Sequence, residues 1–131
     1  MKLLLDTHIW LWSAGEPERL VPRIASALLD PRNERWISPI SVWEILILAQ
    51  KRRLTFSEDI AAWIARSLKE FGLNEAPLTT DVVIATRTLS LPHRDPADLF
   101  LAATAKVFDL TLVTSDSRLL NVAGVTTIAN R

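Results

Sequence analysis

The chain has 131 residues, 49% of them hydrophobic, with 15 basic and 15 acidic side chains and a formal net charge of zero. Length and apolar content suit one folded domain over residues 1–131 and exclude a disordered chain. The balanced charge argues against nucleic-acid binding by bulk charge alone. With no cysteine, disulfides and thiolate metal sites are excluded. Apolar runs such as Ile-Leu-Ile-Leu-Ala at 45–49 are far short of a membrane span. The opening Met-Lys-Leu-Leu-Leu-Asp is too short for the apolar core of a signal peptide, so a cytoplasmic protein without membrane contact is expected.

In chain order, residues 3–5 read as a short buried strand and 7–13 as an apolar, aromatic helix ending near Gly15. Leu20, Val21, Ile24, Ala25 and Leu28 form a helical stripe over 18–29. A second strand is predicted at 35–38. Ser38-Pro39 then reads as a helix cap with proline in the first turn, for a helix to about residue 51. Ser57 is expected to cap the next helix, with Glu58 and Asp59 in its first turn and a stripe of Ile60, Trp63, Ile64, Leu68 and Phe71; Gly72 ends it. Residues 73–78 carry a strand interrupted by Pro77, and 81–89 a short helix. Asp95-Pro96 opens a longer helix to about 108. A strand over 110–114, a helical turn over 116–120 and a strand over 125–128 complete the chain. Strands alternating with helices predict an α/β fold with a parallel sheet covered on both faces.

Four acids stand out in this frame: Asp6, Glu44, Asp98 and Asp116. Asp6 directly follows the first strand, and Asp116 lies just past the strand at 110–114. Glu44 is the sole charge between Trp36 and Gln50, and Asp98 opens an alanine-rich apolar stretch. Ligands of open α/β sheets bind beyond the carboxyl ends of the strands, which puts Asp6 and Asp116 at one edge. Carboxylates beside apolar runs are costly to desolvate unless paired, and a divalent cation is a natural partner. Each acid also has a bland reading as a helix cap or first-turn acid. Asp95, followed by proline, is assigned to capping. Glu44 resists that reading, because Ser38-Pro39 places it more than a turn inside its helix among large apolar neighbours. Setting aside these four of the 15 acids leaves 11 against 15 bases, a mildly cationic remainder.

These residues, in this order, resemble the PIN-domain family, and within it the VapC-type toxins of bacterial toxin–antitoxin pairs. The segments that carry the resemblance are Leu-Leu-Leu-Asp-Thr-His at 3–8, Ser-Pro-Ile-Ser-Val-Trp-Glu-Ile at 38–45, His-Arg-Asp-Pro-Ala-Asp at 93–98 running into Leu-Ala-Ala-Thr-Ala at 101–105, and Leu-Val-Thr-Ser-Asp at 112–116. Leu99 and Leu48 depart from it, standing where many relatives have arginine and lysine. The resemblance implies a three-layer α/β/α domain with a short central parallel sheet. It implies an endoribonuclease that hydrolyses RNA with metal-activated water, with Asp6, Glu44, Asp98 and Asp116 holding Mg²⁺ or Mn²⁺. It also implies a cognate antitoxin protein as partner and a homodimer. All-oxygen ligands suit these hard cations, and Thr114 is a candidate to orient a bound water.

Beside this stand two other readings. One is a PIN-like partner-binding module without nuclease activity. The other, an aspartate-nucleophile phosphatase, is disfavoured because His8 stands where its second aspartate belongs. His93 reads as a loop residue rather than a base. Arg94 and Arg118 are near the acids and can hold phosphates or simply be solvated, and Lys51-Arg52-Arg53 complements a helix C-terminus. Of the five tryptophans, Trp10, Trp12, Trp43 and Trp63 fall mostly on helical stripes, so core packing is expected. Not all can be buried in so short a chain, and exposed parts of Trp12, Ile47 and Trp63 are expected to form a groove for an amphipathic partner helix.

Overall fold

The computed structural model describes residues 1–93 and 95–131. Five strands, β1 (Lys2–Leu5), β2 (Glu34–Ile37), β3 (Leu73–Glu75), β4 (Thr111–Thr114) and β5 (Thr127–Ala129), form one sheet in the order β3-β2-β1-β4-β5. Every pairing is parallel. Parallel neighbours need crossovers, and the helices supply them: α1 (Thr7–Gly15), α2 (Pro22–Leu29), α3 (Pro39–Gln50), α4 (Ile60–Glu70), α5 (Thr80–Ala85) and α6 (Pro96–Val107).

The two-residue pleat sorts the strand side chains into two cores. Leu3, Leu5, Ile37 and Val113 face one core with Ile9 and Trp10 of α1, Ile24 and Leu28 of α2, and Ile64 of α4. Leu4 and Leu112 point the other way and meet Ala97, Leu101 and Ala105 of α6. A strand buried on both faces must be apolar at every position, which is why Leu3, Leu4 and Leu5 are all essentially inaccessible. Helix α3 serves both cores, giving Ile40 to the second and Ile45 to the first. The result is the expected three-layer α/β/α arrangement.

Several boundaries differ from expectation for local reasons. The stripe over 18–29 is not one helix: a 3-10 turn at Pro17–Arg19 is followed by α2 from Pro22. The residue before a proline is pushed out of helical geometry, and Val21 is extended, with ψ near 150°. Ser57 does not cap α4; Asp59 does, its carboxylate accepting from the Ala62 backbone N–H. The strand ahead of Pro77 closes at Glu75, and Ala76 N–H still donates to Ile37 O. The last strand sits two residues later at its start, at Thr127. Among the described residues, no helix is long and apolar enough to cross a membrane.

The chain runs from β1 outward to β2 and β3, then returns over the sheet to β4 on the other side of β1. The switch point therefore lies between β1 and β4, and ligands of such sheets bind in the crevice outside the strand ends there. Asp6 and Asp116 follow those two strands.

Candidate active site

Helix N-termini place Asp6, Asp98 and Asp116, two of them just past strand ends, while Glu44 comes from the body of α3. Asp6 is the cap of α1: one carboxylate oxygen accepts from the Thr7 N–H at 2.7 Å. Its other oxygen accepts from the Thr114 hydroxyl of β4 at 2.6 Å. Thr114 Oγ1 in turn accepts from the Asp116 N–H at 3.0 Å. Capping and the site are thus one arrangement at Asp6 rather than alternatives. Asp95 is the cap of α6, accepting from the Ala97 and Asp98 N–H groups, as its neighbouring proline indicates. Asp116 caps the 3-10 turn Ser117–Leu119, accepting from Arg118 N–H.

Glu44 does not cap α3. Ser38 does, accepting from Ile40 N–H. Glu44 lies past the first turn, half-buried, and accepts from the Thr7 hydroxyl at 2.6 Å. Thr7 thus holds Asp6 through its backbone and Glu44 through its side chain. Asp98 is buried in the first turn of α6, and His93 Nε2 lies 2.6 Å from its Oδ2.

His93, Asp98 and Asp116 each present one ligand atom, and those atoms lie within 4.8 Å of one another. This compact group contains two of the four expected acids plus a histidine read from sequence as a loop residue. Asp6 and Glu44 join it through the threonine bonds and through charge. Burial and the charges of its neighbours Asp95, Asp6 and Asp116 raise the Asp98 carboxyl above its ordinary range. Burial raises Asp6 as well, against the lowering effect of the Thr114 and Thr7 bonds. Burial, with added repulsion from Asp6, Asp98 and Asp95, lifts Glu44 to about 7. Asp116 goes the other way, because the Arg118 guanidinium grips both its oxygens at 3.1 and 2.9 Å and holds it low.

Three of four carboxyls are therefore short of positive charge. Among the described residues, the arginine or lysine bonded to any of the four is Arg118, and it serves Asp116 alone. A donor set of buried carboxylates with one imidazole, lacking counter-charge, fits a divalent cation. The first turn of α1 also gives its Thr7 N–H to Asp6, which eases the crowding of negative charge.

The threonine Thr7 was missed from sequence, and a Thr-His pair following a strand-end acid carries no signal by itself. Thr114 touches Asp6 directly rather than only through water. Of the two arginines weighed as phosphate contacts, Arg118 is committed to Asp116, and Arg94 lies outside the described residues.

The architecture defines a class: a short parallel α/β domain with an acidic pocket at its topological switch point. The PIN domain family model matches residues 3–125, and the chain belongs to the PIN-domain family. Ribonuclease VapC22 of Mycobacterium tuberculosis (strain ATCC 25618 / H37Rv) is 32% identical over 120 residues, covering 89% of this chain and 88% of that protein. A chain of VapBC2 from Rickettsia felis, bound to a DNA fragment from their promoter, superposes with a TM-score of 0.74 at 16% identity over 98% of each chain. A chain of DNA-bound VapBC from Salmonella typhimurium gives 0.70 at 20% identity over 100% of this chain and 99% of that one. At these identities the two solved structures establish likeness of fold.

Proposed function

We propose that this chain is a metal-dependent endoribonuclease, the toxin of a toxin–antitoxin pair, working in the cytoplasm as one domain over residues 1–131. The observation that supports the reading is the grouping of Asp98 and Asp116 with His93, adjoined by Asp6 and Glu44, in a chain 32% identical to a VapC ribonuclease. The partner-binding module without nuclease activity loses ground for the same reason. A purely structural role does not account for crowding buried carboxyls at the cost of raised proton affinity.

Asp6 and Asp98 are assigned as direct ligands of Mg²⁺ or Mn²⁺. Glu44 binds directly or orients a water, and Asp116 completes the set or a second site. When bound, the cation supplies charge stabilisation for the phosphodiester and acidifies a water. Everything else falls to the chain. Thr114 and the Thr7 N–H hold the two Asp6 oxygens in fixed directions. The Thr7 hydroxyl fixes Glu44 Oε1, and His93 fixes Asp98 Oδ2. Holding ligands by outer hydrogen bonds sets both their orientation and their basicity. The partners assigned are a cognate antitoxin protein, an RNA substrate and a second copy of the chain.

The test is cleavage of total cellular RNA by the purified protein with Mg²⁺ or Mn²⁺, with growth arrest on expression as a second readout. Loss of both in Asp6→Asn and Asp98→Asn, and loss of cleavage on chelation, is expected. Full cleavage by either variant, or indifference to chelation, overturns the assignment.

A further inference from the structure

Trp43 is 52% exposed, one residue from Glu44 on α3. Large indoles are seldom left in water without use. The other helical tryptophans are occupied. Trp10 is fully buried and donates its indole N–H to Ser67 Oγ at 2.8 Å. Trp63 packs against the Trp10 and Phe56 rings. Trp12 lies under the Arg19 guanidinium, 4.6 Å from the ring centroid. Trp43 has no aromatic or cation partner among the described residues.

Beside it opens a cavity of about 240 Å³, walled by His8, Trp43, Glu44, Asp95 and Pro96, with Ile47 one turn along α3 from Trp43 as apolar lining. Three elements build it: the first turn of α1, the middle of α3 and the N-terminus of α6. It is continuous with the acidic site, because Glu44 belongs to both. Its size falls below the roughly 300 Å³ at which drug-sized sites begin, which favours a single planar ring over a longer ligand. Its chemistry selects further. Glu44 and Asp95 repel a phosphate at this position, yet Asp95 keeps Oδ2, the oxygen not taken by the Ala97 and Asp98 N–H groups, as an acceptor for an exocyclic amino group, as carboxylates serve cytosine. An exposed indole beside a ring-sized slot is how proteins hold an unstacked base of single-stranded RNA.

We propose that this cavity is a nucleobase subsite, in which a base next to the scissile phosphate stacks on Trp43. The inference rests on the nuclease reading above. It makes Trp43 a substrate-binding residue, acting on RNA affinity and on the choice of cleavage position rather than on the chemical step.

The probe is a single-stranded hexa-adenylate with one adenine replaced by 2-aminopurine, whose fluorescence is quenched on stacking, titrated with the full chain in EDTA. Cleavage of the same oligonucleotide with Mn²⁺ is followed in parallel. Loss of the Trp43 ring in Trp43→Ala is expected to abolish the quench at one probe position and to weaken binding roughly tenfold. KM should rise by a similar factor with kcat little changed, and Trp43→Phe should recover most of both. Equal quenching and KM in wild type and Trp43→Ala overturns the subsite. So does a Trp43→Ala protein that keeps RNA binding and loses only its complex with the antitoxin, since the surface then belongs to that partner. Wild-type protein that cleaves cellular RNA yet never quenches the probe also overturns it, with the nuclease reading intact. Wild-type protein that neither cleaves RNA nor binds the probe overturns both.

Discussion

The Thr114 hydroxyl donates to the Asp6 carboxylate across 2.6 Å, joining residues 108 positions apart at the ends of neighbouring strands. The bond crosses the switch point of the sheet. Both groups are buried, so the bond is worth more in what its loss leaves behind than in itself. Thr114→Val keeps the β-branched shape and removes the hydroxyl. It should cost about 1–3 kcal/mol of stability through the under-satisfied carboxylate and weaken Mn²⁺ binding, with Thr114→Ser restoring most of both. Urea unfolding and calorimetric Mn²⁺ titration give the two numbers. A Thr114→Val protein as stable and as metal-competent as wild type removes the bond from the site.

Asp98→Asn separates stability from function. The change removes one charge from a crowded cluster, while its amide can still bond His93 in the appropriate tautomer. The metal-free protein should therefore be as stable as wild type or more so, in the manner of sites whose function is held against stability. RNA cleavage and the rise in Tm on adding Mn²⁺ should both vanish. A large loss of metal-free stability would show instead that Asp98 is a structural anchor.

The pH dependence has a definite sign. Glu44 sits at about 7 in the folded chain against an ordinary value of 4.5. The folded protein therefore holds a proton that the unfolded chain has released, and stability falls as pH rises from about 4.5 to about 7. Burial of Asp6 and Asp98 acts in the same direction. Asp116, held low by Arg118, has the opposite sign but acts below this window, its contribution being complete above its ordinary 3.8 and lost as pH falls through its lowered value. Metal binding needs ionised carboxylates, so stabilisation by Mn²⁺ should grow over the same window. Urea midpoints measured in EDTA and in Mn²⁺ across pH 4.5 to 8 give both slopes. Glu44→Gln keeps an acceptor for Thr7 and should flatten the metal-free profile; an unchanged slope would assign the effect elsewhere.

Arg118 competes for Asp116. Its guanidinium occupies both carboxylate oxygens on a half-exposed side chain, where solvent screens the pair and keeps it weak. Arg118→Gln should raise Mn²⁺ affinity by at most about fivefold while leaving Tm in EDTA nearly unchanged. A lower Mn²⁺ affinity in the variant would mean that Arg118 positions Asp116 rather than masking it.

Elements with local signals were legible in the residues alone. Three leucines in a row need burial on both faces, and an acid directly after them must stand at a strand end. Ser38-Pro39 starts a helix because serine accepts an end N–H and proline has none to lose, which left Glu44 without a capping role. Asp95-Pro96 repeats that logic and separates the cap from Asp98. Where two local signals competed, the outcome was not legible. Ser57 and Asp59 are both good caps, and Pro22 divides a stripe that periodicity alone runs together.

How the acids meet depends on long-range contacts across the sheet. The Thr7–Glu44 bond spans 37 positions and the Thr114–Asp6 bond 108, and no short-range pattern encodes contacts that the sheet order creates. His93 reaches Asp98 from outside α6, a contact that spacing does not reveal. Trp43 shows the same limit from the other side. Helical stripes assign it to a core, yet α3 feeds two cores through Ile40 and Ile45 and turns Trp43 outward, beside the acids, where packing makes no use of it and a ligand can.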